Sequence, residues 1–260
     1  MHDKHRRDKS STEEPHEMLG ARHILGPMNY EHHAKLLTAI FAALWLVLAV
    51  NPVSRMDWVL ENVLLVLALP IFIAAYRHHL FSRLSHTLIF AFMCLHQIGA
   101  HYTYSLVPYD DWWRMFTGHS FNEIFGWQRN HFDRLVHFLY GLMLAYPIRE
   151  IFLRIVRARG FWGYFLPLDL TMSSSLLYEL IEWLAAVVLG GDAGQAYLGT
   201  QGDIWDAHKD MALASLGALI AMLVTAAVNY QYQRDFAREW SDSWRIRAGN
   251  PDFTDGTPRV

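Results

Sequence analysis

Residues 203–210 read DIWDAHKD, and residues 211–228 continue with MALASLGALIAMLVTAAV, eighteen positions without a charge. A bilayer core of roughly 30 Å takes about 20 apolar residues as a helix, so this stretch reads as a transmembrane span and decides the class of fold. Its doorway is unusual. Asp203, Asp206 and Asp210 recur at three and four residues and therefore share one helical face. A charge at the centre of a membrane helix costs roughly 2.5–3.5 kcal/mol and less near the ends, so the ladder calls for partners other than lipid.

The rest of the chain extends this reading. It has 260 residues, 53% of them hydrophobic and 14% aromatic, and only 18% are charged, against about 25% in an ordinary soluble domain. Apolar stretches cover roughly 36–53, 58–76, 86–108, 132–153, 161–190 and 207–229. The first, second and sixth are clean, whereas the other three carry polar residues. The expected fold is all-α: a polytopic six-helix transmembrane bundle over 33–230. Residues 1–32 are polar and His-rich, too long and too charged for the first region of a cleaved signal, and read as a mobile cytoplasmic tail. Residues 231–260 read as a second tail whose start, YQYQRDFAREWSDSWRIR, is amphipathic and suited to the membrane surface.

Basic residues orient the bundle. Lys and Arg crowd the N-terminal tail, the second connection (Arg77, Arg83), the fourth (Arg149, Arg154, Arg157, Arg159) and the C-terminal tail (Arg234, Arg238, Arg245, Arg247). The alternate connections are poorer, and cytoplasmic loops are the basic ones. Both termini are therefore expected on the cytoplasmic side, with six crossings and with 107–131 and 190–205 outside.

That orientation sets polar residues at one depth. The third span ends in HQIGAHYTYS, with His96, Gln97 and His101; His101 shares a face with Gln97 and is the one expected at the rim. The fourth begins RNHFDRLVHFLYG, putting Asp133, Arg134 and His137 near its outer end. The fifth carries Ser175, Glu179 and Glu182 on one stripe, and the sixth carries Asp203, Asp206 and Asp210. Separate helices thus bring His or carboxylates to the outer third of the membrane, where a shared pocket is expected. His137, Glu179, Glu182, Asp206 and Asp210 are the candidate metal ligands; His101, Asp133, Arg134 and Asp203 are rim or supporting residues. Plainer readings exist: Asp203 as an N-cap, Asp133 with Arg134 as an interfacial pair at the helix N-terminus, and Lys209 snorkelling outward.

FDRLVHFLYGLML, SSLLYELIEW and GDIWDAHKDMALASLGALIA together resemble the YjdF-type family of uncharacterised bacterial inner-membrane proteins over most of residues 30–230. The same blocks are more distantly similar to the VanZ-like family, whose pattern is Asp-Lys-x-x-His, then Glu, then Asp with Asn and Gly. Asp133, Arg134 and His137 match the first block, Glu179 or Glu182 the second, and Asp206 or Asp210 with Gly217 the third. Arg134 stands where Lys is usual and Ser215 near the expected Asn. Neither resemblance implies a reaction; the second implies at most a link to glycopeptide tolerance and the cell envelope.

The motifs narrow the chemistry. Imidazole with carboxylates suits Zn²⁺, Mn²⁺ or Fe, and carboxylates alone suit Mg²⁺ or Ca²⁺. The chain lacks H-E-x-x-H, G-x-S-x-G and a P-loop, and nothing points to a nucleotide or haem. Its one cysteine, Cys94, excludes a disulfide framework, and no basic-aromatic patch suggests nucleic acid. Membrane lipids are the expected partners. Three classes stay open: a periplasm-facing site for a cation or polar head group, with metal-assisted hydrolysis or transfer as its enzymatic form; a proton- or cation-coupled carrier; and a non-catalytic envelope protein whose polar core fixes helix packing. No residue is assigned a catalytic role.

Overall fold

The computed structural model describes residues 30–78 and 80–232. Among them every regular element is helical: α1 Tyr30–Leu48, α2 Arg55–Arg77, α3 Arg83–His101, α4 Tyr109–Thr117, α5 Phe121–Phe125, α6 Phe132–Ile151, α7 Trp162–Leu189, α8 Gly191–Leu198 and α9 Asp206–Tyr232. A single π-helical turn, Phe152–Val156, prolongs α6. The amphipathic segment expected after residue 232 and the tail before residue 30 lie outside the described residues.

Local chemistry sets the boundaries. α1 starts before its apolar stretch because Glu31 and Lys35 pair across one turn at 3.1 Å, and it ends ahead of Asn51, which takes φ 48°, and Pro52. Ser54 caps α2 by accepting from the Asp57 N–H at 3.3 Å. Ser82 caps α3 by accepting from the Ser85 N–H at 3.2 Å. The Ser82 N–H and the Ser85 hydroxyl both donate to Glu150 Oε2 at 2.7 Å, which ties the start of α3 to the end of α6. The connection over 107–131 folds into α4 and α5, closed by left-handed glycines at Gly118 (φ 78°) and Gly126 (φ 65°).

Among the described residues, four helices are long and apolar enough to cross a membrane: Glu31–Leu48, Arg55–Arg77, Trp162–Leu189 and Asp206–Gln231. α3 and α6 match them in length at 19 and 20 residues, but α3 carries His86, His96 and Gln97, and α6 carries Asp133, Arg134, His137, Arg149 and Glu150. Their polarity fits their place. α6 is the hub, packed against α3, α7 and α9, and α3 in turn holds α1 and α2. A helix surrounded by helices needs no lipid-compatible face. The outer helices do: Val47, Val66, Leu67, Ile71, Val187 and Val188 are all exposed.

The tightest packing joins α6 to α9. Ala145, Ala214 and Ala218 have no exposed surface. A Cβ added at Gly141 would strike the Ala214 carbonyl oxygen, and one at Gly217 would strike the Phe138 carbonyl oxygen. Gly141–Ala145 and Ala214–Ala218 are therefore small-x-x-x-small pairs facing each other, the arrangement by which membrane helices gain van der Waals contact where no hydrophobic force acts between them. Because backbone cannot yield as a side chain can, Gly141→Ala and Gly217→Leu should each lower the thermal midpoint of the detergent-purified protein, by an amount equivalent to roughly 1–3 kcal/mol. Leu219→Ala, on an exposed position of α9, should leave it within error. An unchanged midpoint in both glycine variants would refute the close crossing.

Candidate functional site

Following the α6–α9 contact by one turn toward the helix N-termini replaces Gly141 by His137 and Ala214 by Asp210; a second turn reaches Asp133 and Asp206. The faces that pack deep in the bundle are thus the faces that turn polar at its end. Ligand-type atoms of Asp133, His137 and Asp210 all lie within 4.8 Å of one another. Glu179 of α7 closes the group from the side, with Oε1 3.4 Å from His137 Nε2, while Asp133 Oδ1 lies 3.6 Å from the same nitrogen. The His137 ring also meets Tyr178 edge-on, centroids 5.7 Å apart. Asp210 is 2% exposed, yet its Oδ1 and Glu179 Oε1 accept no hydrogen bond from the described residues.

The other two aspartates of the ladder behave differently. Asp206 accepts from both ends of the Arg129 guanidinium, at 2.7 and 3.2 Å, and from Arg134 Nη2 at 3.1 Å. Asp203 pairs with Arg134 and with Lys209, the latter at 2.6 Å, and accepts from the Trp205 N–H at 3.0 Å. The Lys209 hydrogen bond, then the Trp205 N–H and Arg134, hold the Asp203 carboxyl well below the usual carboxylate range. The depressed value means that this stabilisation is present above the ordinary value of about 4 and is lost as pH falls below it. Asp206 has both oxygens committed to guanidinium groups, so it is not free to ligate a metal. Asp203 is not a simple N-cap, Arg134 pairs across to the α9 side rather than with Asp133, and Lys209 turns back onto the ladder. Arg129, placed by its sequence only in a loop, is the missing counter-charge.

His101 is not brought to this group. Its Nδ1 is 2.8 Å from the Leu48 carbonyl and its ring packs on Tyr102, so it fastens α3 to the end of α1. His96, buried on the other face, pairs instead with the Tyr104 hydroxyl.

Glu182 is not one of the residues gathered around His137; it lines a narrow cleft together with Asp57, Glu61, Asp133, Tyr104 and Tyr197. Asp133 thus borders both. Glu61 is only 4% exposed and accepts from the Tyr178 hydroxyl at 3.1 Å. Beside it Asn62 accepts from Trp45 Nε1 at 2.7 Å and from Gln97 Nε2 at 3.2 Å. Glu61 and Asn62 interrupt the stretch 58–76, whose mean hydropathy conceals them. The signal available was WVLENVLL itself: a carboxylate after only three residues of an apolar run. Burial, followed by the negative charges of Glu61, Glu182 and Asp57, raises the pKa of the Tyr197 phenol well above its ordinary value.

Two comparisons bear on identity. The family model described as "Predicted membrane protein (DUF2238)" matches residues 33–231. The chain is 35% identical over 184 residues to the "Inner membrane protein YjdF" of Escherichia coli (strain K12), covering 70% of this chain and 84% of that one. No solved structure matches. The likeness to the VanZ-like family rests on its short blocks alone. A match across nearly the whole helical region, in a chain whose helices are built for a membrane, makes this protein a member of the DUF2238 membrane-protein family.

Proposed function

We propose that this is a six-span inner-membrane protein that holds a divalent cation in a periplasm-facing site made by Asp133, His137, Glu179 and Asp210. The observation that carries the reading is that ligand-type atoms of Asp133, His137 and Asp210 all lie within 4.8 Å of one another, with Glu179 beside His137. Ligands bound to one ion at about 2.1 Å in a tetrahedron stand roughly 3.4 Å apart. The separations of His137 Nε2 from Glu179 and Asp133, 3.4 and 3.6 Å, match that spacing and exceed the roughly 2.7–3.2 Å of a good hydrogen bond. Asp210 Oδ1 and Glu179 Oε1 are acceptors without donors, and a buried acceptor left that way costs about 1–3 kcal/mol. Carboxylates at this separation repel one another, and a shared cation relieves the repulsion. One imidazole with carboxylates favours Zn²⁺ or Mn²⁺ over Ca²⁺.

The ion-pair ring of Arg129, Arg134, Lys209, Asp203 and Asp206 supports a second, narrower role: that part of the polar core fixes the packing of α6 against α9. Its two carboxylates meet three cations, whereas no ion pair joins Asp210 or Glu179 to a lysine or arginine among the described residues. An anionic head group is disfavoured beside so many carboxylates. No reaction is assigned to the site.

The orientation rests on the basic connections and on the depth shared by the first turns of α2, α6 and α9. Reporter fusions after residues 56, 120 and 198 should read periplasmic, and those after 80, 158 and 250 cytoplasmic. A periplasmic signal at 250 would reverse the orientation. For the site, elemental analysis of detergent-purified protein should find about one equivalent of Zn²⁺ or Mn²⁺ per chain. Asp210→Asn, which keeps the shape and removes the charge, should reduce it at least tenfold. Equal metal content in the two proteins, or none in either, would defeat the cation site and leave the packing role.

A further inference from the structure

We propose that the α4–α5 hairpin lies flat in the membrane, its aromatic face sunk into the boundary between lipid head groups and acyl chains at the end of the bundle where α2, α6 and α9 begin. The hairpin is too short to span. α4 has nine residues and α5 five, so α4 reaches only about 14 Å, against the roughly 30 Å of a bilayer core. Along α4, Tyr109, Trp112, Trp113 and Phe116 stand three and four apart and share one face, and Asp110, Arg114 and Thr117 take the other. That polar face is satisfied within the hairpin. Asp110 accepts from the Phe121 and Asn122 N–H groups at 2.6 and 3.2 Å, and Arg114 meets Glu123 at 2.8 Å. The apolar face is braced but uncovered. Trp113 stacks on Phe121 with centroids 4.7 Å apart, and Phe125 on Trp127 at 4.8 Å. Met115 and Phe116 are nevertheless 78% and 85% exposed.

The cover is lipid, and the hairpin's position says why. Trp112 packs edge-on against Tyr102, the residue that ends α3, with centroids 5.9 Å apart, and the Tyr109 hydroxyl accepts from the His131 N–H at 3.0 Å. The hairpin therefore sits where α3 stops and α6 starts. α2 starts at this same end, since Asp57, Thr103 and Asp133 line one cleft. Here too Val50, Met56, Val188, Ile204 and Trp205 are exposed, on four separate segments. The aromatic face thus continues a belt, which a surrounding medium meets and a single docked partner does not. The ends of the chain attach elsewhere. Leu48 bonds to His101 and Asp206 to Arg129 at this end, so residues before 30 and after 232 join α1 and α9 at the other. The residue types agree as well. Trp and Tyr collect at membrane–water interfaces because an apolar ring carries a polar handle, and amphipathic helices lie in that plane. Two residues beyond Trp127 comes Arg129, which pairs with Asp206 at 2.7 Å, so the same anchor steadies the start of α9. The placement depends neither on the cation site nor on which side of the membrane this end faces.

The test is spin labelling of the full chain in nanodiscs of phosphatidylethanolamine and phosphatidylglycerol. In a Cys94→Ser background, Phe116→Cys carries the label on the aromatic face and Asp111→Cys carries it on the opposite side; both positions are exposed. The label at 116 should relax with dissolved oxygen and hardly with a water-soluble nickel chelate, at a depth of about 5–10 Å, and the label at 111 should do the reverse. Equal access of nickel to the two positions would put the face in water and overturn the proposal. Exclusion of both reagents at 116 would overturn it too: dipolar coupling between labels on two chains would then show a second copy as the cover, and no coupling would show burial against the bundle. A second measurement leaves Cys94 in place. Trp113→Phe should remove emission that lipids brominated near the head group quench. Loss instead of emission that only aqueous acrylamide quenches would contradict the interfacial placement.

Discussion

Everything polar in this protein depends on how closely α6 and α9 approach. Gly141 and Gly217 allow each backbone to touch the other, and the rows through them run at intervals of four along both helices. His137 and Asp210 are the next residues outward on those same rows. A bulkier residue at either glycine would push the helices apart and separate the imidazole from the carboxylate. Packing and site are therefore one feature read at two depths. Small residues fill the row where the surroundings are dry, and ligand-type residues fill it where the bundle opens.

The aspartate ladder is divided by its partners. Asp203 and Asp206 face Arg129, Arg134 and Lys209 in a ring where charges of both signs meet. Removing one partner of the buried Arg129–Asp206 pair is costly, about 3–5 kcal/mol, although a matched apolar replacement of both can be neutral. That ring is well suited to hold the start of α9 in place. Asp210 lies one turn deeper and meets a histidine and two further carboxylates instead. The same residue type thus serves packing at one position and ion binding, as proposed, four residues later. A carboxylate ladder at the mouth of a greasy helix is tolerated because none of its rungs faces lipid alone.

Much of this was legible in the residues. Long apolar runs marked α1, α2, α7 and α9, the helices apolar enough to cross a membrane among the described residues, and periodicity put Asp133 with His137, and Asp206 with Asp210, on common faces. The small-residue row of α9 was visible as Ala214, Gly217, Ala218 and Ala221. What escaped had physical causes. Arg129 reaches Asp206 across 77 positions, a pairing that helical periodicity cannot carry. Glu61 was averaged away by the leucines and valines around it. His101 and His96 differ by five residues and so point to different sides of α3, and the choice between them depended on where α1 ends. The short helices α4, α5 and α8 fold within connections whose polarity matched loop and amphipathic helix equally.

The central claim is that one ion is held jointly by an imidazole of α6 and carboxylates of α6, α7 and α9. The most direct measurement is pulsed EPR of the protein loaded with Mn²⁺, read for ¹⁴N coupling. The account predicts the coupling of a single directly bound imidazole nitrogen, lost in His137→Gln while Mn²⁺ remains bound more weakly through the carboxylates. A Mn²⁺ signal without nitrogen coupling in the wild-type protein, or coupling that survives in His137→Gln, would contradict it.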